Sequence, residues 1–342
     1  MNRFATQRLQ QLAGTLGALA SAFLATGLTI ATLSQEAAAQ TAAQDFPSKQ
    51  IRWIVPYPPG GGGDIVARLV SHKMSGTTAQ SILVENRPGG NTVIGTQALL
   101  SSKADGYTVM HTAEQIAANG TLYKNLKYSA EKDIDFIGTV VKTPLVLLAK
   151  FDLPVSNAQE VIAYLKANDR KVTYGSWGQG GMNHLTMEAF AARLNVTPVH
   201  VPFAGAAPAI KDLLGGEIDL YFSDLASALP HVRAGKLKPM LVSTRERVPM
   251  LPNIPTLQEL GFEGFDMYSY QGVVAPKGMP PEVLNKLSEL LRNAVNNPEV
   301  RADLSSRGFI PAPSTSAEFR AQFLESQTQL GNIIRQRNIV IE

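Results

Sequence analysis

The chain contains no cysteine in 342 residues. That excludes a disulfide scaffold, a thiolate metal centre, a cysteine nucleophile and a lipid-modified cysteine. Charge is scarce at 17% and nearly balanced, with 31 basic against 28 acidic residues for a net +3. The basic residues are scattered, so the positive stripe of a nucleic-acid binder is missing. The five histidines (His72, His111, His184, His200 and His231) show neither a His-x-x-x-His nor a Glu-x-x-His spacing, which argues against a metal site. A Gly-x-Ser-x-Gly elbow for a hydrolase nucleophile is also absent. Beyond residue 40 no apolar run is long enough to span a membrane. An enzyme is therefore not expected, nor a cofactor.

What is present is 44% hydrophobic residues, 28 glycines and 21 prolines. This is the composition of an α/β protein with many tight turns, long enough for two domains. The first forty residues carry an address. Arg3 and Arg8 precede an uncharged stretch at 12–33, and Ala37, Ala38 and Ala39 stand before Gln40. This is the layout of a secretory signal peptide, residues 1–39, cleaved after Ala39. A retained membrane anchor is the alternative, but Ala, Gly, Thr and Ser dilute the run. Cleavage leaves 29 basic and 27 acidic residues in a periplasmic chain whose core is large enough to hold without disulfides.

Along the remaining chain, strands are expected at 51–55, 81–84, 107–112, 134–140, 145–149, 172–176, 199–203, 219–222 and 237–243. Helices are expected after Asp64, where Ile65, Val66, Leu69 and Val70 fall at helical spacing, and at 95–102, 156–167, 183–194, 208–214, 281–296 and 316–335. Ser156 is the expected cap of the third of these. Alternation of strand and helix implies parallel sheets covered on both faces. The absence of a Pro/Ser-rich linker favours two lobes joined by crossing strands.

Three strand-to-helix junctions are rich in Gly or Ala: 58–64, 176–184 and 204–208. A helix start offers unpaired N–H groups and partial positive charge, so such junctions suit an anion. Glycine lets a ligand approach the backbone. The first is neither a Walker loop, lacking Gly-Lys-Ser/Thr, nor a dinucleotide fingerprint, because its glycines are crowded together. His184 is expected to order its loop through hydrogen bonds rather than act as a base.

The runs VPYPPGGGGDIVARLV (55–70), VENRPGGNTVIGTQAL (84–99), ADGYTVM (104–110), NGTLYKNLKYSAEKDIDFIG (119–138), VPFAGAAPAIKDLLGGEIDLYFSDLASALPHVRAGKLKPM (201–240), LPNIPTLQELGF (251–262) and APKGMPPEVLNKL (275–287) cover nearly the whole mature chain. In them the sequence resembles the Bug/TctC-type substrate-binding proteins of tripartite tricarboxylate transporters. The resemblance implies an α/β, two-lobed periplasmic binding protein fold of type II-like form, each lobe a mainly parallel sheet flanked by helices. Lobe 1 is expected at 46–148 plus 273–342 and lobe 2 at 149–272, with hinge crossings near 147–150 and 270–274. It further implies a monomeric receptor that captures a small organic carboxylate between the lobes and delivers it to permease subunits. The alternative is a ligand-sensing subunit acting on a membrane kinase.

Ligand contacts carried over from that resemblance are Tyr57, Pro59, Gly60, Gly61 and Asp64 in the first loop. The opposing loop supplies Ser176, Trp177, Gly178, Gln179, Gly180 and His184. Ala204 and Gly205, Ser223 and Asp224, Thr112 and Glu114, and Tyr270 complete the set, Tyr270 either facing ligand or packing the hinge. Departures from the family pattern are Gly63 and the Gly181–Met182 pair, where hydroxyl residues are common, and Trp177, which either stacks on a planar ligand or covers the loop. Glu114 replaces a small residue, and a carboxylate there repels an anion unless protonated or paired. The expected ligand therefore has one carboxylate end held by backbone N–H groups. Its other end is aromatic, or positive, or a hydrogen-bond donor.

Overall fold

The run Ile-Arg-Trp-Ile-Val at 51–55 buries four of its five residues, which only a strand covered on both faces does. It opens the body of the chain, which begins at Lys49. A computed structural model describes residues 46–78 and 80–341. The expected signal peptide and its cleavage point after Ala39 lie outside the described residues.

In chain order, β1 (Ile51–Val55), α1 (Gly62–Thr78), β2 (Ile82–Asn86), α2 (Val93–Leu100) and β3 (Thr108–Ala113) come first. Next, α3 (Gln115–Leu122) and the short α4 (Ala130–Asp133) lead into β4 (Ile134–Ala149), a strand of 16 residues. A second series follows: α5 (Ala158–Ala167), β5 (Thr173–Ser176), α6 (Met182–Leu194), β6 (Val199–Pro202), α7 (Ala206–Gly215), β7 (Leu220–Asp224), α8 (Leu225–Arg233) and β8 (Lys238–Val242). The chain closes with β9 (Tyr268–Pro276), α9 (Pro281–Asn296), α10 (Pro298–Ser306), β10 (Ile310–Pro311) and α11 (Ser316–Gln336).

Among the described residues the ten strands join in one sheet of order β2-β1-β3-β9-β4-β7-β5-β6, with β8 and β10 also on β4. At the two ends the strands are parallel, β1 with β2 and β3, and β5 with β6 and β7. There the expectation of mainly parallel sheets holds. In the centre it is corrected: β3–β9, β9–β4, β4–β7 and β4–β8 are all antiparallel. The outer strands are joined by helical crossovers, which return the chain in the same direction. By contrast, β4 carries the chain from one half of the sheet to the other and β9 carries it back, so the two run opposite ways.

Two strands expected at 134–140 and 145–149 are thus one. Val141, Lys142, Thr143 and Pro144 look like a break in sequence but lie opposite Gln271, Tyr270, Ser269 and Tyr268 of β9. Register shifts at Phe136/Gly138 and Thr139/Val141 bend the strand. From Leu145 its partners become β7 and β8.

Beyond that handover, alternate residues serve opposite faces. Leu145 and Leu147 join Phe190 of α6 and Leu165 of α5 in one core, while Val146 and Leu148 join Leu213 of α7 and Leu229 of α8 in another. A third core gathers Ile54, Met110, Phe136 and Val274 under Phe319 and Phe323 of α11. Further along α11, Leu330 and Ile334 enter the first of these cores, so one 21-residue helix clamps both halves.

The cap of α5 shifts from Ser156 to Asn157, whose Oδ1 accepts the Glu160 amide at 3.0 Å while Glu160 Oε2 accepts the Ser156 amide at 2.6 Å. Glu160 stands three residues beyond Asn157, the spacing of a capping box. The elements α3, α4, α8 and β10 were not expected from sequence, and of β9 only a crossing near 270–274 was.

At the seam between β4 and β9, a Cβ added to Gly272 meets Phe319 at 2.5 Å and the Gly138 carbonyl oxygen at 2.9 Å. The backbone oxygen cannot yield without disturbing the ladder. Gly272→Ala is expected to cost about 1–3 kcal/mol, the usual cost of overpacking, read as a lower urea midpoint with unchanged slope.

Candidate ligand-binding site

One buried carboxylate organises the β1–α1 junction. Asp64, in the first turn of α1, is 3% exposed. Its Oδ2 accepts the Gly60 amide at 2.9 Å and Arg68 Nε at 3.0 Å, and its Oδ1 accepts Asn86 Nδ2 at 2.9 Å. Asn86 also donates to the Tyr57 carbonyl at 3.1 Å. Burial opposes ionisation of Asp64, but the bonds from Arg68, Gly60 and Asn86 outweigh it and hold the carboxyl below its usual range. Gly60 has φ 80°, a left-handed conformation that costs glycine little. Pro59 and Gly61 flank it in the same exposed turn. At Gly63 a Cβ sits 2.8 Å from the Tyr57 ring, so the ring itself occupies the space a hydroxyl residue needs.

The β5–α6 junction is held by two stacked imidazoles. Ser176 Oγ lies 2.7 Å from His200 Nε2 and accepts the Gly178 amide at 3.2 Å. His184 Nδ1 accepts the Gly180 amide at 2.9 Å, and its ring stacks on His200 with centroids 3.8 Å apart and planes at 7°. Burial pushes His184 down to about 3 and His200 down to about 4, so His184 is the neutral acceptor this bond requires. Behind them Tyr174 donates to Glu188 at 2.5 Å, and Glu188 pairs with Arg337. Gly180 has φ 76° and lies so close to Leu122 of α3 that any Cβ collides.

Several expected contacts are therefore committed inside the protein. Gln179 donates to the Val340 carbonyl at 3.0 Å, turning its side chain toward the C-terminal segment. Trp177 packs against both cores of the second half and over Gly181, where a Cβ falls 2.5 Å from Nε1. Ala204 and Gly205 lie on an outer turn tied to the site through the Phe203 amide, which donates to the Ser176 carbonyl at 2.9 Å. Asp224 caps α8 by accepting the Ser227 amide at 2.8 Å, and burial raises its pKa. Ser223 and Thr112 are buried, each hydroxyl on the next residue's carbonyl, at 3.0 and 3.3 Å.

Tyr57, Glu114 and Tyr270 do converge. Burial, then the Glu114 carboxylate and Tyr270, push the Tyr57 hydroxyl well up, and its oxygen is buried without a partner. Glu114 follows β3 and is 2% exposed. Its Oε2 accepts Ser269 Oγ at 2.9 Å and the Tyr270 amide at 3.3 Å, while Oε1 has no partner. Burial pushes this carboxyl up to about 7, against the hydrogen bonds it accepts. Glu114 and Tyr270 line a cavity of about 460 Å³ together with Met182, the first residue of α6. The amides of the first turns of α1 and α6 (Gly62, Gly63, Met182 and Asn183) are ones no helical carbonyl reaches.

Sequence reasoning missed His111, Gln271, Asn183 and Tyr221. His111 is fully buried and bonded through Nε2 to Gln271 Oε1 at 2.9 Å. Asn183 Nδ2 has no partner, and the Tyr221 hydroxyl lies beside Asn183 and Ser223 without a well-formed hydrogen bond to either. Buried polar atoms are nearly always paired, so these orphans mark the same region. A sequence signal existed for Asn183, the second residue of a helix opening after a glycine loop.

Residues 66–339 match the tripartite tricarboxylate transporter family receptor, TctC. The chain belongs to this family. It is 30% identical to BugT of Bordetella pertussis, covering 91% of this chain and 95% of BugT. Its fold superposes on R. palustris Rpa4515 with adipate at a TM-score of 0.80, with 27% identity over 86% of this chain and 99% of that one. Against MatC of Rhodopseudomonas palustris with bound malate the TM-score is 0.75, with 26% identity over 84% and 100%. The TctC fold is thus the two-lobed periplasmic binding protein fold, and the chain is a solute receptor rather than an enzyme. Among the described residues no helix is long and apolar enough to cross a membrane.

The Glu114 carboxyl makes a pH-dependent contribution in this TctC receptor. Its folded value of about 7 lies above the ordinary 4.5. Between those values the native state keeps a proton that the unfolded chain has released, so stability falls as pH rises through that window and is level above it. The fall is on the order of 3 kcal/mol at most. The buried His111, His184 and His200, whose values burial lowers, push the other way over much of the same window, so the Glu114 contribution is read as the difference between the urea-unfolding pH profiles of the ligand-free wild type and Glu114→Gln.

Proposed function

We propose that this TctC protein is an exported receptor that closes over a small organic carboxylate and hands it to the permease of a tripartite tricarboxylate transporter. Residues 1–39 direct export and are cleaved after Ala39. Lobe 1 comprises 46–148 and 273–342, and lobe 2 comprises 149–272. The observation that carries this reading is that Glu114, Tyr270 and Met182 line one cavity, with Met182 opening the amide-rich start of α6 and Tyr57 close enough to Glu114 to feel its charge. The adipate and malate held by the two R. palustris relatives support a carboxylate as the ligand class.

A carboxylate end docks on the first-turn amides of α1 and α6, where N–H groups and helix dipoles favour negative charge. Gly60, Gly61, Gly178 and Gly180 give the ligand access to backbone. Asp64 and His184 act one step back, each fixing its loop through a glycine amide. Preorganised amides avoid an ordering cost on binding. The end of β4 near 147–150, paired with β7 and β8, together with β9 near 270–274, supplies the hinge crossings. The permease then recognises the closed form, which ligand makes the dominant population.

In a thermal-shift screen with malate, adipate and citrate, a true ligand at about a hundredfold excess over Kd stabilises the protein by roughly 2.7 kcal/mol. Asp64→Ala and Gly60→Val are expected to weaken that ligand about tenfold or more while circular dichroism remains native. Unchanged affinity in both variants removes the first loop from the site.

A further inference from the structure

The cavity beside the strand ends has an electrostatic character unlike that of a site for a diacid. Its lining includes three carboxylates, Glu114, Asp266 and Glu325, and no Lys, Arg or His. Tyr268, Tyr270 and Met182 supply aromatic and thioether surface around them. Glu114 Oε1 is buried without a hydrogen-bond partner although Oε2 is held by Ser269 and the Tyr270 amide. An unpaired buried carboxylate oxygen is costly, and a donor that reaches it recovers the cost.

The groups around Glu114 do not supply that donor. Tyr57 and Tyr270 carry phenol O–H groups close enough for the carboxylate to disfavour their ionisation, but neither hydroxyl is within hydrogen-bonding reach of Oε1. Asp266 and Glu325 add negative charge. Lys142, with Nζ 4.4 Å from the Tyr268 ring centroid, stands over that ring and is not in the cavity lining. A second ligand carboxylate entering here meets like charge. An ammonium group meets a hydrogen-bond acceptor, two further carboxylates and aromatic faces that attract cations.

We propose that Glu114 is a specificity-determining residue of this receptor, selecting carboxylates that carry an ammonium group, which seats against its unpartnered Oε1 in the acidic cavity. This rests on the receptor reading above. The ligand's carboxylate end remains with the helix-start amides, and its cationic end is read by a side chain.

Calorimetry with matched pairs tests it: succinate against γ-aminobutyrate, glutarate against δ-aminovalerate, and adipate against ε-aminocaproate. The amino member of the best-fitting pair is expected to bind roughly tenfold tighter, the worth of one charge-assisted hydrogen bond. Its affinity rises as pH passes upward through about 7, where Glu114 ionises. Glu114→Gln is expected to abolish the preference. Wild-type preference for the diacid, growing tighter as pH falls, overturns the proposal, because Glu114 then donates a proton to a carboxylate, and the receptor reading stands. A preference for the amino member that persists unchanged in Glu114→Gln also overturns it. Failure of every diacid and every amino acid to bind overturns both the proposal and the receptor reading. The wild-type comparison needs no variant, so the result does not depend on how Glu114→Gln folds.

Discussion

Everything in this fold hangs on β4 having two sets of partners. For eleven residues it is an inner strand beside β9, and for the last five it is an inner strand beside β7 and β8. A strand that leaves one half of a sheet must have its amides and carbonyls taken up at once by the other, because buried backbone groups without partners are not tolerated. The antiparallel return of β9 meets that demand, and alternate side chains beyond Leu145 then seed the cores on both faces.

The site follows from the same economy. Polar side chains near the two glycine-rich junctions are largely occupied within the protein: Asp64 with Gly60, Arg68 and Asn86, His184 with Gly180, and Ser176 with His200. What they leave over is backbone, presented at helix starts. Such free amides at a helix start suit negative charge even in a body with little net charge of its own. Glu114 departs from that pattern. It is a buried carboxyl with one oxygen paired and one not.

Much of the architecture was legible because it rests on periodicity and punctuation. The run at 51–55 and the amphipathic helix at 281–296 match the observed bounds, since each has a clear apolar pattern and a proline or glycine at its edge. The quoted motifs placed the chain in its family. The continuity of β4 was hidden, because Lys142, Thr143 and Pro144 read as a turn until β9 lies opposite them. The helix α8 was hidden by Pro230 inside it, and β9 by its apolar and polar residues being buried alike.

Sequence alone determined the fold family and the glycine-rich junctions, because motifs, turns and residue types are local properties. Tertiary structure decided which of the candidate residues face inward. Asp64, His184, Gln179 and Trp177 were indistinguishable from ligand contacts in one dimension, and their partners (Gly60, Gly180, Val340 and Gly181) became visible only when the loops closed. It also decided that Glu114 meets Tyr57, Tyr270 and Met182, residues up to 156 positions away. The physical reason is that hydrogen-bond satisfaction and burial are properties of assembled neighbours, and no local pattern encodes which distant group will be the neighbour.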